Sequence, residues 1–290
     1  MKRTIARGQT WWWRLFVVAI LANLVLDIPQ PYPFLIIVGS LALALVRPPA
    51  TDRGPVDVAP PVRGRWVALN SPGSAVPSHG VKAYGQKYAV DLLQPSTDAP
   101  PSMGWSFVMR RPETYPTFGA PVHAMAAGTV VHAQDGQRDH RARDTWPGVL
   151  WMMTLEGFIR ELAGARKIMG NHVVVEHDDG TYAAYGHLRH GSAVVRPGEH
   201  VAAGQVLAQV GNTGNTSEPH LHVQLMDDPQ PTAAAGVPMR WPEIVVDPAE
   251  RDARWGMGEP KPTALPGFPR NGQIFEVRES SRVGEPDGGA

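Results

Sequence analysis

Residues Gly211 to Gln224 read GNTGNTSEPHLHVQ. The spacing of His220 and His222 puts two imidazoles on one face of a strand, because strand side chains two apart project the same way. Such a pair sets a metal ligand beside a proton-transfer group. A catalytic zinc takes three protein ligands from His, Asp and Glu and keeps one position for water, so the chain must supply partners. Asp91, in the run Tyr88-Ala89-Val90-Asp91-Leu92, is a carboxylate inside an apolar strand, costly unless paired or bound to a cation. His79 stands twelve residues upstream, in Pro77-Ser78-His79-Gly80. His187 ends the run Thr181–His187 (TYAAYGH) and, beside His220, is a candidate for acid–base work or for holding an oxyanion. The chain has no cysteine, which excludes thiolate ligands, thiol nucleophiles and disulfides, and it has eleven histidines to draw on.

The elements that must position these residues are short. Apolar runs at Trp66–Leu69, Tyr88–Leu93, Gly128–His132, Asn171–Glu176, Thr181–His187, Gln205–Val210 and His220–Leu225 alternate with Gly, Asn, Asp and Pro. Asp178-Asp179-Gly180 predicts a hairpin turn between two of them. With 30 Gly and 29 Pro, the pattern predicts an all-β core. One segment, 134–168, interrupts it. Gln134–Thr145 is charged, and Trp146–Ala165 carries apolar residues at helical spacing, which predicts one inserted helix whose apolar face either covers the core, the commoner outcome, or touches the membrane beside the anchor. The 27 basic and 27 acidic residues cancel and leave no net field to hold nucleic acid.

Residues 1–46 read as a membrane anchor. Lys2, Arg3, Arg7, Arg14 and three tryptophans at 11–13 precede two apolar runs, Leu15–Ile28 and Phe34–Val46, separated by Pro29-Gln30-Pro31-Tyr32-Pro33. Each run is shorter than the roughly 20 residues of a comfortable spanning helix. They form either a hairpin of two helices or one crossing with an interfacial partner. Residues 47–65 read as an extended, exposed Pro-rich linker, 66–248 as the folded domain, and 249–290 as a Pro/Gly-rich tail. In that tail Gly272–Val277 offers one more strand or a short docking segment, and the last residues read as disordered.

Five separated motifs carry a resemblance. Tyr88–Asp91 (YAVD), Pro121–Val131 (PVHAMAAGTVV), Thr181–His187, Arg196–Gly214 (RPGEHVAAGQVLAQVGNTG) and Glu218–Gln224 (EPHLHVQ) resemble, in order, the lysostaphin/LytM family of zinc metallopeptidases. The resemblance spans roughly 66–226 and implies an antiparallel β domain with a groove, the duplicated hybrid motif fold. It implies a Zn2+ endopeptidase that cuts peptide bonds in peptidoglycan stems or cross-bridges. It makes Asp91 and His222 zinc ligands, and His187 and His220 the catalytic histidines that do not bind metal. Many members place the first histidine four residues before the aspartate, where this chain has Lys87. Members with a Q-x-[YF]-A-x-D run use one about a dozen residues upstream, which makes His79 the third ligand and His123 the second choice. Thr216, Ser217 and Asn212 are candidates to orient a histidine or simply to form the turn.

The rival within the same fold is a non-catalytic protein that binds peptidoglycan or activates another hydrolase; its mark is a lost ligand. A swinging-arm carrier domain, suggested by Pro197–Leu207, lacks an exposed lysine at a tight turn. A peptidoglycan substrate places the domain outside the cytoplasm, at the cell membrane, hence one crossing, whereas a hairpin puts it on the side of the basic N-terminus. The sequence names no regulatory protein partner.

Overall fold

Runs rich in Val, Ala and Leu fold here as strands because each can bury one face and leave the other for chemistry. The computed structural model describes residues 1–96, 103–252, 254–255 and 259–278. The sheet is carried by β1 (Gly64–Leu69), β2 (Val90–Leu93), β3 (Gly128–Gln134), β4 (Asn171–His177), β5 (Tyr182–Leu188), β6 (Leu221–Met226), β7 (Ile244–Arg251) and β8 (Gln273–Val277). Its order is β7-β8-β1-β2-β6-β5-β4-β3, with the short pieces His200–Val201 beside β3 and Gly236–Val237 beside β6. All these pairings are antiparallel. The order wedges β6 between β2 and β5, so His222 stands opposite Asp91 on one side and Gly186 on the other.

Alternation then sorts the side chains. Leu221, Val223 and Leu225 of β6 are fully buried in the main core with Val90, Leu92, Val173 and Val175. Their neighbours Asp91, Val174, Ala184, His222 and Gln224 take the opposite face. The predicted hairpin forms between β4 and β5: Gly180 turns at φ 76°, and the Thr181 N–H donates to the Asp179 carboxylate at 2.8 Å.

The N-terminal region is helical: α1 (Lys2–Arg7), α2 (Gln9–Val25) and α3 (Tyr32–Ala44). After the proline break α3 folds back along α2 and reaches α1, so the two apolar runs form the hairpin of the two expected arrangements. Among the described residues no helix is long and apolar enough to cross a membrane. α1 is pinned to the domain just beyond β6 by Arg3–Asp227 and Arg7–Asp228, each 2.7 Å.

The insertion differs from a single helix lying on the core. It comprises α4 (Trp146–Trp151), a π-helical turn (Met152–Glu156), α5 (Gly157–Ala163) and α6 (Ala165–Met169). Thr145 caps its start, its hydroxyl accepting from the Gly148 N–H, and Glu156 clasps Arg143 at 3.0 Å and Arg160 at 2.7 Å. The interior is already filled by strand residues such as Trp66, Tyr185 and Phe275. The insertion therefore packs α5 against α2 and leaves Met153, Phe158 and Ile159 exposed.

The proline-rich stretch before β1 is also less free than its composition predicts. Val56–Asp57 pairs with Met239–Arg240, and Val58 and Val62 are inserted in the main core. Gln273–Val277 does supply the further strand, pairing β8 with β1. The sheet thus runs past residue 248, while the disorder expected for the last residues falls on 279–290, outside the described residues.

Candidate metal centre

The register of β2, β6 and β5 gathers the titratable groups at one end of the sheet. Asp91 Oδ1 lies 2.9 Å from His222 Nδ1 and 3.6 Å from His220 Nε2, and Asp91 Oδ2 lies 3.1 Å from His79 Nε2. The ligand atoms of His79, Asp91 and His222 fall within 4.8 Å of one another. The rings of His187 and His220 are 4.7 Å apart, and those of His187 and His222 5.7 Å. All five residues expected at the site converge. His123 does not: it sits on the strand Pro121–His123, its Nδ1 donating to Gly204 O at 2.9 Å. Lys87 points its ammonium over the Tyr88 ring instead.

Hydrogen bonds behind each imidazole set which nitrogen faces inward. His222 Nε2 donates to Gln224 Oε1 at 2.9 Å, and the Gln224 amide is itself fixed by donating to Tyr84 O at 2.7 Å. That leaves His222 Nδ1 for the centre. His79 Nδ1 lies 3.1 Å from Ser78 Oγ, whose hydroxyl donates to Gln86 O, leaving Nε2 inward. His220 Nδ1 donates to Glu218 O at 2.8 Å and His187 Nδ1 to Thr213 O at 2.8 Å, so both turn Nε2 toward the same space. Asp91 is steadied by Asn70, whose amide donates to Oδ2 at 2.7 Å.

The electrostatics agree with this division. Burial pushes the Asp91 carboxyl up, but its electrostatic interaction with the nearby His79 and His220 and hydrogen bonds from His222 and His79 hold it well below the carboxylate range. Burial pushes His222 down; its bond to Asp91, the carboxylate charge and Gln224 outweigh that and raise it. A cation entering the centre therefore displaces a proton held between His222 and Asp91. Burial, with His220 and His222 as neighbours, keeps His187 well below the ordinary imidazole range, hence neutral.

His187 also carries strain. Its φ is 60°, in the left-handed region that residues other than glycine rarely adopt. It is held there by the Gly211 N–H donating to His187 O at 2.9 Å as well as by its own bond to Thr213. Thr213 is in turn pressed against the end of the insertion. A Cβ on Gly170 (φ 68°) would lie 2.3 Å from Thr213 O, and one on Gly214 would lie 2.4 Å from Gly170 N. Only two glycines fit that crossing.

A cavity of about 560 Å³ opens over the cluster, lined by the five residues and walled by Tyr84, Met152 and Ile168. Two imidazoles and a carboxylate, with no thiolate in the chain, form a donor set that suits zinc. The oriented nitrogens and the proton that a cation would replace make the residues present fit that metal. Sequence reasoning missed Asn70, Ser78 and Gln224 as supports; Gln224 stands two residues after His222 on the same face, which was the available signal. Of the three turn residues, Thr216 does touch a histidine, its hydroxyl 3.0 Å from His220 Nδ1. Asn212 instead donates to His140 O at 2.8 Å, and His140 Nε2 meets Gly214 O at 3.0 Å, bracing the loop.

Residues 153–234 match the family model described as Peptidase family M23. That segment contains His187, His220 and His222, whereas His79 and Asp91 join the group through the fold. The DD-carboxypeptidase/endopeptidase Mpg of Neisseria meningitidis serogroup B is 35% identical over 75 residues, 26% of this chain and 17% of that one. The peptidoglycan DD-endopeptidase ShyA of Vibrio cholerae is 38% identical over 72 residues, 24% of this chain and 16% of that one. The matches thus span less than a fifth of either relative. Among solved structures, the catalytic domain of the antimicrobial peptidase lysostaphin from Staphylococcus simulans aligns over 57% of this chain and 84% of that one. Identity there is 21% and the TM-score 0.32.

Proposed function

On the premise that residues 153–234 belong to peptidase family M23, we propose that the protein is a zinc metalloendopeptidase hydrolysing peptide bonds of peptidoglycan stems or cross-bridges. The observation that carries this reading is the meeting of His79, Asp91 and His222 beside two further histidines whose Nε2 atoms face the same cavity. A full ligand set also speaks against the non-catalytic reading, whose mark would be a lost ligand.

His79 Nε2, Asp91 and His222 Nδ1 would hold the metal. Zinc, when bound, supplies Lewis acidity toward the scissile carbonyl and lowers the pKa of water. His220, with its Nδ1–H committed to Glu218 O, offers the Nε2 lone pair that takes a proton from the attacking water and returns it to the leaving amine. His187 is neutral and its Nδ1 proton is committed to Thr213 O, so its Nε2 is an acceptor. That state suits orienting the water rather than donating to an oxyanion, and it narrows the two roles open for His187 from the sequence. The strained backbone at His187 keeps the ring in this attitude.

The same reading places the protein at the cell membrane, with the domain on the side of the wall. α2 and α3 present Leu15, Val18, Leu21, Phe34, Ile36 and Val38 to the outside. A 17-residue helix is about 25 Å long, shorter than the roughly 30 Å hydrocarbon core. In place of the single crossing expected from the sequence, the hairpin is therefore read as an anchor that enters the bilayer from the domain's own side, with 1–46 as anchor, 47–65 as a clamped connection and the peptidase domain following. This puts the basic N-terminus on the wall side, against the usual charge preference.

The test is metal content and cleavage of cross-linked muropeptides by the full chain, for wild type and for Asp91→Ala, His79→Ala and His222→Ala. Stoichiometric zinc and cleavage in the wild type, both lost in the variants, are expected. Zinc retained by His79→Ala would remove that residue from the ligand set, and a wild type that binds zinc without cleaving would favour the non-catalytic reading.

A further inference from the structure

A second cavity, of about 660 Å³, lies on the same face of the sheet as the metal centre. Cross-strand pairing fixes its position. Gln224, Ala184, Val174 and His132 stand opposite one another on β6, β5, β4 and β3, which sets His132 three strand spacings, about 14 Å, from Gln224. The floor is the far strands of the sheet. The roof is the start of α2 together with the end of the insertion.

Among the described residues the lining includes three arginines, Arg7, Arg14 and Arg166, and no carboxylate. Arg7 is matched by Asp228 at 2.7 Å. Arg14 donates through Nε to the Leu162 carbonyl and stacks its guanidinium 4.7 Å over Trp11, and neither it nor Arg166 has a carboxylate partner among the described residues. Two buried polar atoms in the lining, His132 Nε2 and Thr232 Oγ1, make no hydrogen bond among the described residues, and Thr232 is only 5% exposed. Buried polar groups without a partner are rare and are destabilising unless a ligand meets them. The floor histidines are not the source of charge: burial pushes His172 down to about 4 and lowers His132. Cationic forks beside two unpartnered polar groups that can donate describe a seat for an oxyanion with several acceptor oxygens.

The setting selects the source of that anion. Trp11 and Arg14 belong to the first turns of α2, whose continuation is the exposed apolar hairpin, and tryptophan favours the headgroup layer of a bilayer. We propose that this cavity binds the phosphate-bearing headgroup of an anionic lipid, which would tie the catalytic face to the anchor. The proposal rests on the membrane attachment described above. A soluble phosphate shares the chemistry and is one outcome of the test.

The full chain is floated with vesicles of phosphatidylcholine alone and of phosphatidylcholine mixed with phosphatidylglycerol, for wild type, Arg166→Lys and Thr232→Val, with folding checked by circular dichroism. The wild type is expected on both, with a preference for the anionic vesicles that drops about tenfold in each variant, the worth of one charge-assisted hydrogen bond. Both variants keep the net charge, so a full preference in both would reduce the effect to diffuse surface attraction and overturn the site. Flotation with neither vesicle would sink the membrane reading alone. In that case the chain in neutral detergent is titrated with short-chain phosphatidylglycerol and followed by phosphorus NMR. A shift absent from the variants supports the headgroup site, and no shift in the wild type overturns it. Inorganic phosphate binding as tightly as the short-chain lipid would make soluble phosphate the ligand and overturn the lipid assignment.

Discussion

Replacing Gln224 by leucine should weaken zinc binding without touching a metal ligand. Gln224 Oε1 accepts the His222 Nε2 proton at 2.9 Å, and that bond is what leaves Nδ1 facing Asp91. Leucine fits the volume but removes the acceptor, so a ring that is 7% exposed keeps an N–H with no partner. An unsatisfied buried donor costs about 1–3 kcal/mol. At about 1.4 kcal/mol per factor of ten, the ring's readiness to leave its binding attitude rises roughly 5- to 150-fold. The independent range for removing a residue that orients a metal-bound histidine, about 10- to 100-fold in affinity, overlaps it. The measurement is zinc affinity of the full chain by competition with a chromophoric chelator, with circular dichroism as a check on folding. Gln224→Glu keeps an acceptor against Nε2 and should retain tight binding. If the leucine variant folds and binds zinc as tightly as the wild type, the orientation argument fails, and His222 must be held by packing alone.

Other outcomes follow from the same geometry. His220→Ala should keep its zinc and lose about 10²- to 10⁴-fold in turnover; loss of metal in this variant would place His220 among the ligands. Zinc affinity should fall as pH drops through the histidine range, because the raised His222 lets a proton compete for Nδ1; a flat chelator titration from neutral to mildly acid pH would contradict it. His172 is depressed from 6.5 to about 4, so the unfolded chain binds a proton there that the native state refuses. Its contribution is intact above about pH 6.5 and is lost as pH falls toward 4, by up to about 3 kcal/mol. Denaturant unfolding of His172→Gln against wild type should therefore show a shallower acid slope. Gly170→Ala should lower both stability and activity, since its Cβ would meet Thr213 O at 2.3 Å and shift the carbonyl that holds His187. Unchanged cleavage by that variant would disconnect the crossing from the site.

Most of the sheet was readable because burial on one face imposes a period of two. Val173-Val174-Val175, the Asp-Asp-Gly turn and the His-x-His spacing all state their geometry locally. Asp91 was readable for the opposite reason, as a charge where a strand should have none. The supports were harder. Gln224 carries no charge and looks like any polar strand residue, and Asn70 reaches Asp91 only through the pairing of β1 with β2. The insertion illustrates the limit of periodicity: its apolar stripe predicts a buried face but does not name the surface that meets it. Here α5 packs on α2 while Met153, Phe158 and Ile159 of that stripe stay exposed, and the sheet's interior was already occupied. The proline-rich approach to β1 shows the same limit, since composition predicted an exposed connection while Val58 and Val62 found room in the core.

The wedge of β6 between β2 and β5 also has a consequence in time. Asp91 and His222 are 131 residues apart in the chain. Synthesis at about 5–20 residues per second separates their appearance by roughly 7–26 s. During that interval β2 exists without the strand that faces it, and its aspartate cannot be buried beside the imidazole that makes burial tolerable. The candidate metal centre thus cannot be completed until β6 has been made, so a growing chain carries an unfinished ligand set through most of its synthesis.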